Sequence, residues 1–141
     1  IAEETLATLL SLQRVGKAAG KGLYDYGPEG REIWPGLAEA FALRGEFDEE
    51  TIRRRLFNVQ SLEAVRCLDD GVLAQPLDGD VAAVLGWGYP AWLGGPFAYI
   101  DRIGAKTFVA ECDELAQRHG ARFTPPDRLR RMAETGGHFH D

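Results

Sequence analysis

The stretch DEETIRRRLFNVQSLEAVRCLDDG, residues 48–71, decides the fold class. Asp48 is a good N-cap, and Phe47 and Ile52 are placed for a hydrophobic staple across the start. Glu49 and Glu50 suit the positive end of a helix dipole. Ile52, Leu56, Val59, Leu62, Val65 and Leu68 then recur at spacings of three and four, the period of one helical face. Gly71 supplies the stop.

The same signals continue downstream. Asp80 is read as the cap of a short helix over 80–86 that Gly86 ends. A helix around 97–103 follows a turn-rich stretch, Gly86 to Pro96, that contains two Trp. Phe108, Val109, Cys112, Leu115 and Ala116 share one face of a helix over 105–119, with Gly120 as its stop. A last helix begins after Thr124 with Pro125 at its first position, a favoured place for proline. Leu129, Met132 and Ala133 form its apolar face, and Gly136 ends it. Strand alternation is not visible anywhere. The pattern predicts an all-α chain, a compact bundle of five to six helices.

Upstream, Leu6, Leu9, Leu10 and Leu12 make a helical stripe behind Glu3 and Glu4. Residues 16–36 hold six glycines and two prolines, which reads as a loop or connector. Leu23, Tyr24, Tyr26, Ile33 and Trp34 give it too much apolar area for a free linker, so it is expected to lie against a packed surface. The predicted organisation is 1–36 as the tail of a preceding unit plus a glycine-rich connector, and 37–141 as one helical domain.

Composition closes off several function classes. The chain has 141 residues, 45% hydrophobic and 27% charged, so a core is affordable and disorder is not expected. No apolar run approaches the ~18 residues of a membrane span. The net charge of −6, from 16 Lys+Arg against 22 Asp+Glu, disfavours nucleic acid as a partner. A chain of this length is too short for a nucleotide domain plus a substrate domain, and its start at Ile1 is expected to reflect a cut from a longer chain. Two basic clusters, Arg53 to Arg55 and Arg128, Arg130 and Arg131, read as solvated helix faces. The sharper reading is contact with a phosphorylated ligand or an acidic surface. Cys67 and Cys112 stand apart with no C-x-x-C, so they read as reduced core thiols in a cytoplasmic protein.

Candidate motifs fail on their physics. Gly16-Lys17-Ala18-Ala19-Gly20-Lys21-Gly22 resembles a phosphate-binding loop. It has three residues between its glycines where four are needed, no Ser/Thr after Lys21, and a helix rather than a strand before it. Gly86-Trp87-Gly88-Tyr89-Pro90-Ala91 matches a dinucleotide fingerprint formally. Pro90 lacks the N–H such a turn uses, however, and Trp87 and Tyr89 crowd the approach. His119 sits at a helix C-terminus, where positive charge is favourable without any catalytic role. His138 and His140 fall in a tail expected to fray, and with Asp141 they lack a fourth metal ligand. No nucleophile–base pair is identifiable, and Asp113 and Glu114 read as exposed helix residues. The predicted site inventory is therefore empty: no catalytic, cofactor or metal residue, and no assignable substrate contact.

The string itself carries more. Arg66-Cys67-Leu68-Asp69-Asp70-Gly71, then Asp80 through Pro90, then Leu93-Gly94-Gly95-Pro96-Phe97-Ala98-Tyr99-Ile100-Asp101-Arg102-Ile103-Gly104 resemble the C-terminal domain of 3-hydroxyacyl-CoA dehydrogenases. The likeness is to the last helical repeat in the multifunctional alpha subunit of bacterial fatty acid oxidation complexes. Gly20-Lys21-Gly22-Leu23-Tyr24-Asp25-Tyr26 is similar to that family's segment joining two repeats. Arg122-Phe123-Thr124-Pro125-Pro126 and Gly136-Gly137-His138-Phe139 extend the likeness over nearly the whole chain.

The resemblance implies a helical fold like the C-terminal domain of 6-phosphogluconate dehydrogenase, with no Rossmann domain in this piece. It implies a parent enzyme that oxidises L-3-hydroxyacyl-CoA to 3-ketoacyl-CoA, together with an enoyl-CoA hydratase activity. NAD and the catalytic His–Glu pair would then lie in an upstream Rossmann domain. The family's catalytic Asn lies in the preceding repeat. Where the second repeat commonly carries an Asn of its own, this chain has Leu62. Ala91, Trp92, Leu23 and Ala98 also depart from the family pattern. The isolated piece is expected to be inactive, a scaffold packed on the preceding repeat that supports the acyl-CoA cleft. The aromatic content raises an alternative of another class: an interaction module that forms a homodimer or docks a thiolase subunit.

Overall fold

The structure is a computed structural model and describes residues 2–41 and 48–140. Phe47 and Asp141 lie outside these residues, so the staple to Ile52 and any metal role of Asp141 do too. The chain divides into two compact units, Ile1–Glu46 and Phe47–Asp141.

The first unit opens with helix α1 (Ala2–Ser11). Beyond it, Gln13 adopts a left-handed φ of 57°, Gln13 N–H bonds Leu10 C=O and Arg14 N–H bonds Leu9 C=O. That is a Schellman stop with Gln in the place usually given to Gly. Strands β1 (Tyr24–Gly27) and β2 (Gly30–Ile33) pair antiparallel, with Tyr24 opposite Ile33 and Tyr26 opposite Arg31. This hairpin corrects the expectation that the chain lacks strands. Its alternation lasts four residues a side and sits among breakers, too short to register as a period. Pro28 and Glu29 form the two-residue turn, and Gly30, which follows it, takes a positive φ of 129°. A short helix α2 (Leu37–Ala40) ends the described part of this unit.

Arg14 organises the unit from within. Its buried guanidinium donates from Nε to Gly22 C=O at 2.7 Å and pairs with the Asp25 carboxylate. It also lies over the Trp34 ring at 4.1 Å. One side chain thus ties the α1 exit to strand β1 and to Trp34, just past the end of β2.

The second unit is built on α3 (Glu49–Asp69), whose start is as its sequence predicts. Asp48 accepts hydrogen bonds from Glu50 N–H and from Thr51 N–H, the latter at 2.9 Å. These bonds, with the Thr51 hydroxyl, hold the Asp48 carboxyl below its ordinary range. Leu62 and Val65 on this helix are fully buried against Phe97 and Ile100 of α5 (Pro96–Ile103), Phe108 and Cys112 of α6 (Ala105–His119), and Leu129 of α7 (Asp127–Thr135). With α4 (Pro76–Ala82), five α-helices make this unit. The all-α reading holds for the chain as a whole, with the hairpin as its one small exception.

Three boundaries differ from expectation. Helix α4 starts at Pro76 rather than Asp80. It continues through a wider helical turn, Ala83–Trp87, to Gly88 rather than stopping at Gly86. Helix α7 begins at Asp127, with Pro126 rather than Pro125 at its boundary.

Half of the arginines in the two clusters are paired on the helix surfaces. Arg53 meets Glu49 and Glu50, Arg128 meets Asp69, and Arg130 grips both oxygens of Asp113. These exposed pairs each contribute at most about 1 kcal/mol.

Candidate functional site

The chemistry-bearing residues of the second unit converge where α4, the Gly86–Pro96 corner and α5 meet. Asp80, expected to cap its own helix, instead caps another. Its buried carboxylate accepts Phe97 N–H at 2.8 Å and Ala98 N–H at 3.3 Å, the open N-terminus of α5. The cap signature was right in kind and wrong in target, because the partner lies 17 residues away in sequence. Gly95 makes this approach feasible. At φ 124° it avoids strain, and a Cβ there would overlap the Asp80 carboxylate.

The C-terminal tail is part of this knot, which corrects the expectation that it frays. Asp101 accepts Phe139 N–H at 2.9 Å and His140 N–H at 2.9 Å. His140 Nε2 lies 2.8 Å from Asp80 Oδ2, and Phe139 packs edge-on against Phe97 at 4.9 Å. His138 sits 3.8 Å from Asp101. Both tail histidines therefore face carboxylates, which tie the tail down. Among the described residues, no three His, Cys, Asp or Glu side chains cluster as metal ligands.

A second polar cluster is sealed. Asn58, fully buried, donates to Glu111 at 3.2 Å and accepts from the Tyr99 hydroxyl at 3.2 Å. Burial pushes the Tyr99 hydroxyl up to about 12, with the Glu111 carboxylate adding to it. Burial likewise pushes the Cys112 thiol up to about 12, far from a reactive thiolate. Leu62, which stands where the family pattern has Asn, is fully buried in apolar contacts. Cys67 is half-buried, not a core thiol.

The corner's aromatics divide cleanly. Tyr89, Phe97 and Tyr99 are buried, whereas Trp87 and Trp92 remain 59% and 70% exposed. Leu77, Val81 and Leu85, at spacings of four along α4 and its continuation, are 57%, 50% and 81% exposed. That is a helical stripe that the described residues leave exposed. On the other side of Trp87, whose Nε1 donates to Gln60 Oε1 at 3.0 Å, an apolar groove of about 280 Å³ runs between Ala64, Cys67, Val72 and Leu73. Sequence periodicity missed the stripe because residues facing a core and residues facing a partner share one spacing.

The remaining sequence candidates stay apart from this site. His119 ends α6, and its ring is held below its ordinary range by burial and by Arg55, Arg118 and Arg122. In the first unit, Lys17–Ala19 form a single tight turn between Gly16 and Gly20 rather than a strand-to-helix phosphate loop. No helix among the described residues is long and apolar enough to cross a membrane.

No protein-family model matches the chain. Curated relatives do. The fatty acid oxidation complex subunit alpha of Vibrio campbellii is 39% identical over 136 residues, covering 95% of this chain and 19% of the relative. The subunit of the same description from Shewanella loihica is 41% identical over 137 residues, covering 94% of this chain and 19% of the relative. That of Vibrio vulnificus is 38% identical over 135 residues. The chain spans about a fifth of the length of the curated relatives it matches.

Proposed function

We propose, on the premise that this chain is homologous to one stretch of the alpha subunits of fatty acid oxidation complexes, that it is the C-terminal helical part of a multifunctional β-oxidation enzyme. The parent chain oxidises L-3-hydroxyacyl-CoA to 3-ketoacyl-CoA with NAD, alongside an enoyl-CoA hydratase activity, in the cytoplasm. This part supplies scaffold. It packs against the preceding helical repeat and the Rossmann domain, and supports the acyl-CoA cleft without touching the reacting atoms.

The observation that carries this reading is the exposed stripe of Leu77, Val81 and Leu85, with Trp92 exposed as well, apolar area of the kind that marks an interaction surface. The described residues do not fit an NAD site of their own. Gly86 to Ala91 closes a helix instead of joining a strand to one, and Pro90 lacks the N–H that a pyrophosphate would need. On this reading the NAD site and the catalytic base lie in an upstream domain.

The test is enzymatic and takes the chain as it stands. Purified 1–141 is expected to show no oxidation of NADH by acetoacetyl-CoA, and turnover by it would overturn the division of labour. Light scattering on the same sample addresses the second reading, a self-associating module, since the same exposed stripe could serve a second copy. A strictly monomeric, folded chain would rule that reading out.

A further inference from the structure

A groove distinct from the α4 stripe lies along the N-terminal half of α3. Ile52, Leu56 and Val59 form its wall, Phe123 its floor, and Arg55 and Arg122 its rim, around a volume of about 250 Å³. Ile52 and Leu56 are exposed, so this apolar surface is open to solvent. Arg53, Arg66, Arg118, Arg128 and Arg130 are each paired with a carboxylate. Among the described residues, Arg55 and Arg122 have no carboxylate partner, as is also true of Arg31, Arg54, Arg102 and Arg131; what sets these two apart is that both line one apolar groove. In a chain of net charge −6, two such cations on one apolar groove are a local inversion of sign.

We propose that this groove binds an amphiphilic anion: a short alkyl chain laid along Ile52, Leu56 and Val59, ending in a carboxylate held between Arg55 and Arg122. Charge complementarity selects the head group, because a guanidinium offers a planar fork that matches carboxylate oxygens. Size selects the tail. The volume falls just under that of clefts for drug-sized ligands, which suits a single alkyl chain. The anchoring of Arg122 supports a built rim. Arg66 donates to its backbone carbonyl at 3.0 Å, and its guanidinium lies 5.5 Å from the Phe123 ring centre. His119 beside them reports the field: burial and Arg55, Arg118 and Arg122 together hold its ring below the ordinary range. The inference stands apart from the reading of the parent enzyme.

The experiment is an NMR titration of the 141-residue chain with sodium octanoate, following the His119 ring and the methyl groups of Leu56 and Val59. Octyltrimethylammonium and acetate serve as probes that keep only the tail or only the head. Octanoate is expected to saturate, to shift those methyl signals and to raise the His119 pKa, since a bound carboxylate offsets the arginines. The double substitution Arg55→Gln and Arg122→Gln is expected to weaken binding about tenfold or more. Arg53→Gln, on the paired surface of the same helix, should leave it unchanged, and circular dichroism confirms that each variant is folded. Equal binding of octyltrimethylammonium, an unaltered affinity in the double variant, or no saturable shift with octanoate would each overturn the proposal. A response only to a glutamate-rich amphipathic peptide would overturn it in favour of a protein partner.

Discussion

Asp80→Ala tests the interpretation of the α4–α5 corner most sharply. The native carboxylate holds two backbone N–H groups of α5, at 2.8 and 3.3 Å, from a side chain only 5% exposed. Removing an N-cap costs about 0.5–2 kcal/mol. Leaving buried donors without an acceptor raises this by about 1–3 kcal/mol. The contact to His140, whose side chain is one-third exposed, adds less than about 1 kcal/mol. The terms overlap, so the expected loss is about 3 kcal/mol, or roughly 12–24 °C in Tm for a unit of this size. Guanidinium unfolding followed by far-UV circular dichroism reads it as a fall in midpoint at constant slope. The control is Asp78→Ala, an exposed carboxylate that only receives Gln75 Nε2 at 3.0 Å, expected to change stability by less than about 0.5 kcal/mol.

Gly95→Ala supplies the second arm of the same test. Its new Cβ would displace the Asp80 carboxylate, and its φ of 124° would be strained besides. Both substitutions remove the same cap, so the double variant should lose clearly less than the sum of the singles. A loss below about 1 kcal/mol for Asp80→Ala, or full additivity with Gly95→Ala, would refute the cross-fold cap.

Two further outcomes follow from groups away from this corner. Burial above all keeps Cys112, Tyr89 and Tyr99 protonated up to about 12, against ordinary values of 9.0 for the thiol and 10.0 for the phenols. The unfolded chain releases these protons first, so stability is whole below about pH 9 and falls as pH rises from 9 to 12, by up to about 1.4 kcal/mol per pH unit for each group. Unfolding midpoints across that range check it, and a flat profile would contradict it. In the first unit, Arg14→Lys keeps the charge but cannot reach Gly22 C=O and Asp25 together while lying on Trp34. The hairpin amide Trp34 N–H, bonded to Leu23 C=O, should lose about 2 kcal/mol of exchange protection, near thirtyfold, and unchanged exchange would show that Arg14 is dispensable.

What the sequence made legible was whatever depends on near neighbours. Asp48 caps the helix it precedes, and Gly120 and Gly136 end α6 and α7. Each of these signals acts within about five residues, the range over which a linear string and a folded chain agree. Asp80 carried the same cap chemistry, but its donors lie on α5, and only the packing of Gly95 against it reveals the target. The tail was misjudged for the same reason. His138, Phe139 and His140 have no local structure to predict, and their order comes from Asp101 and Phe97, nearly 40 residues earlier. Arg14 looks like any helix-end cation until the hairpin folds over it.

The exposed stripe shows where pattern reading stops for function. Leu62 and Val65 on α3 and Val81 and Leu85 on α4 and its continuation obey the same spacing rule. The first pair is fully buried, and the second faces water. Hydrophobic burial is non-directional, so a stripe specifies that something must cover it and is silent on what. Within this chain α5, α6 and α7 cover α3, and no described residue covers Leu85. On the proposed reading, that difference carries function: α3 turns Leu62 and Val65 into the core, while the stripe along α4 and its continuation stays exposed and fits a surface that another body covers. Replacing Leu85 by Asp should therefore leave the unfolding midpoint of the isolated chain nearly unchanged while weakening whatever assembly the face serves. A Leu85→Asp chain that unfolds as readily as an Asp80→Ala chain would mean that the face is core after all.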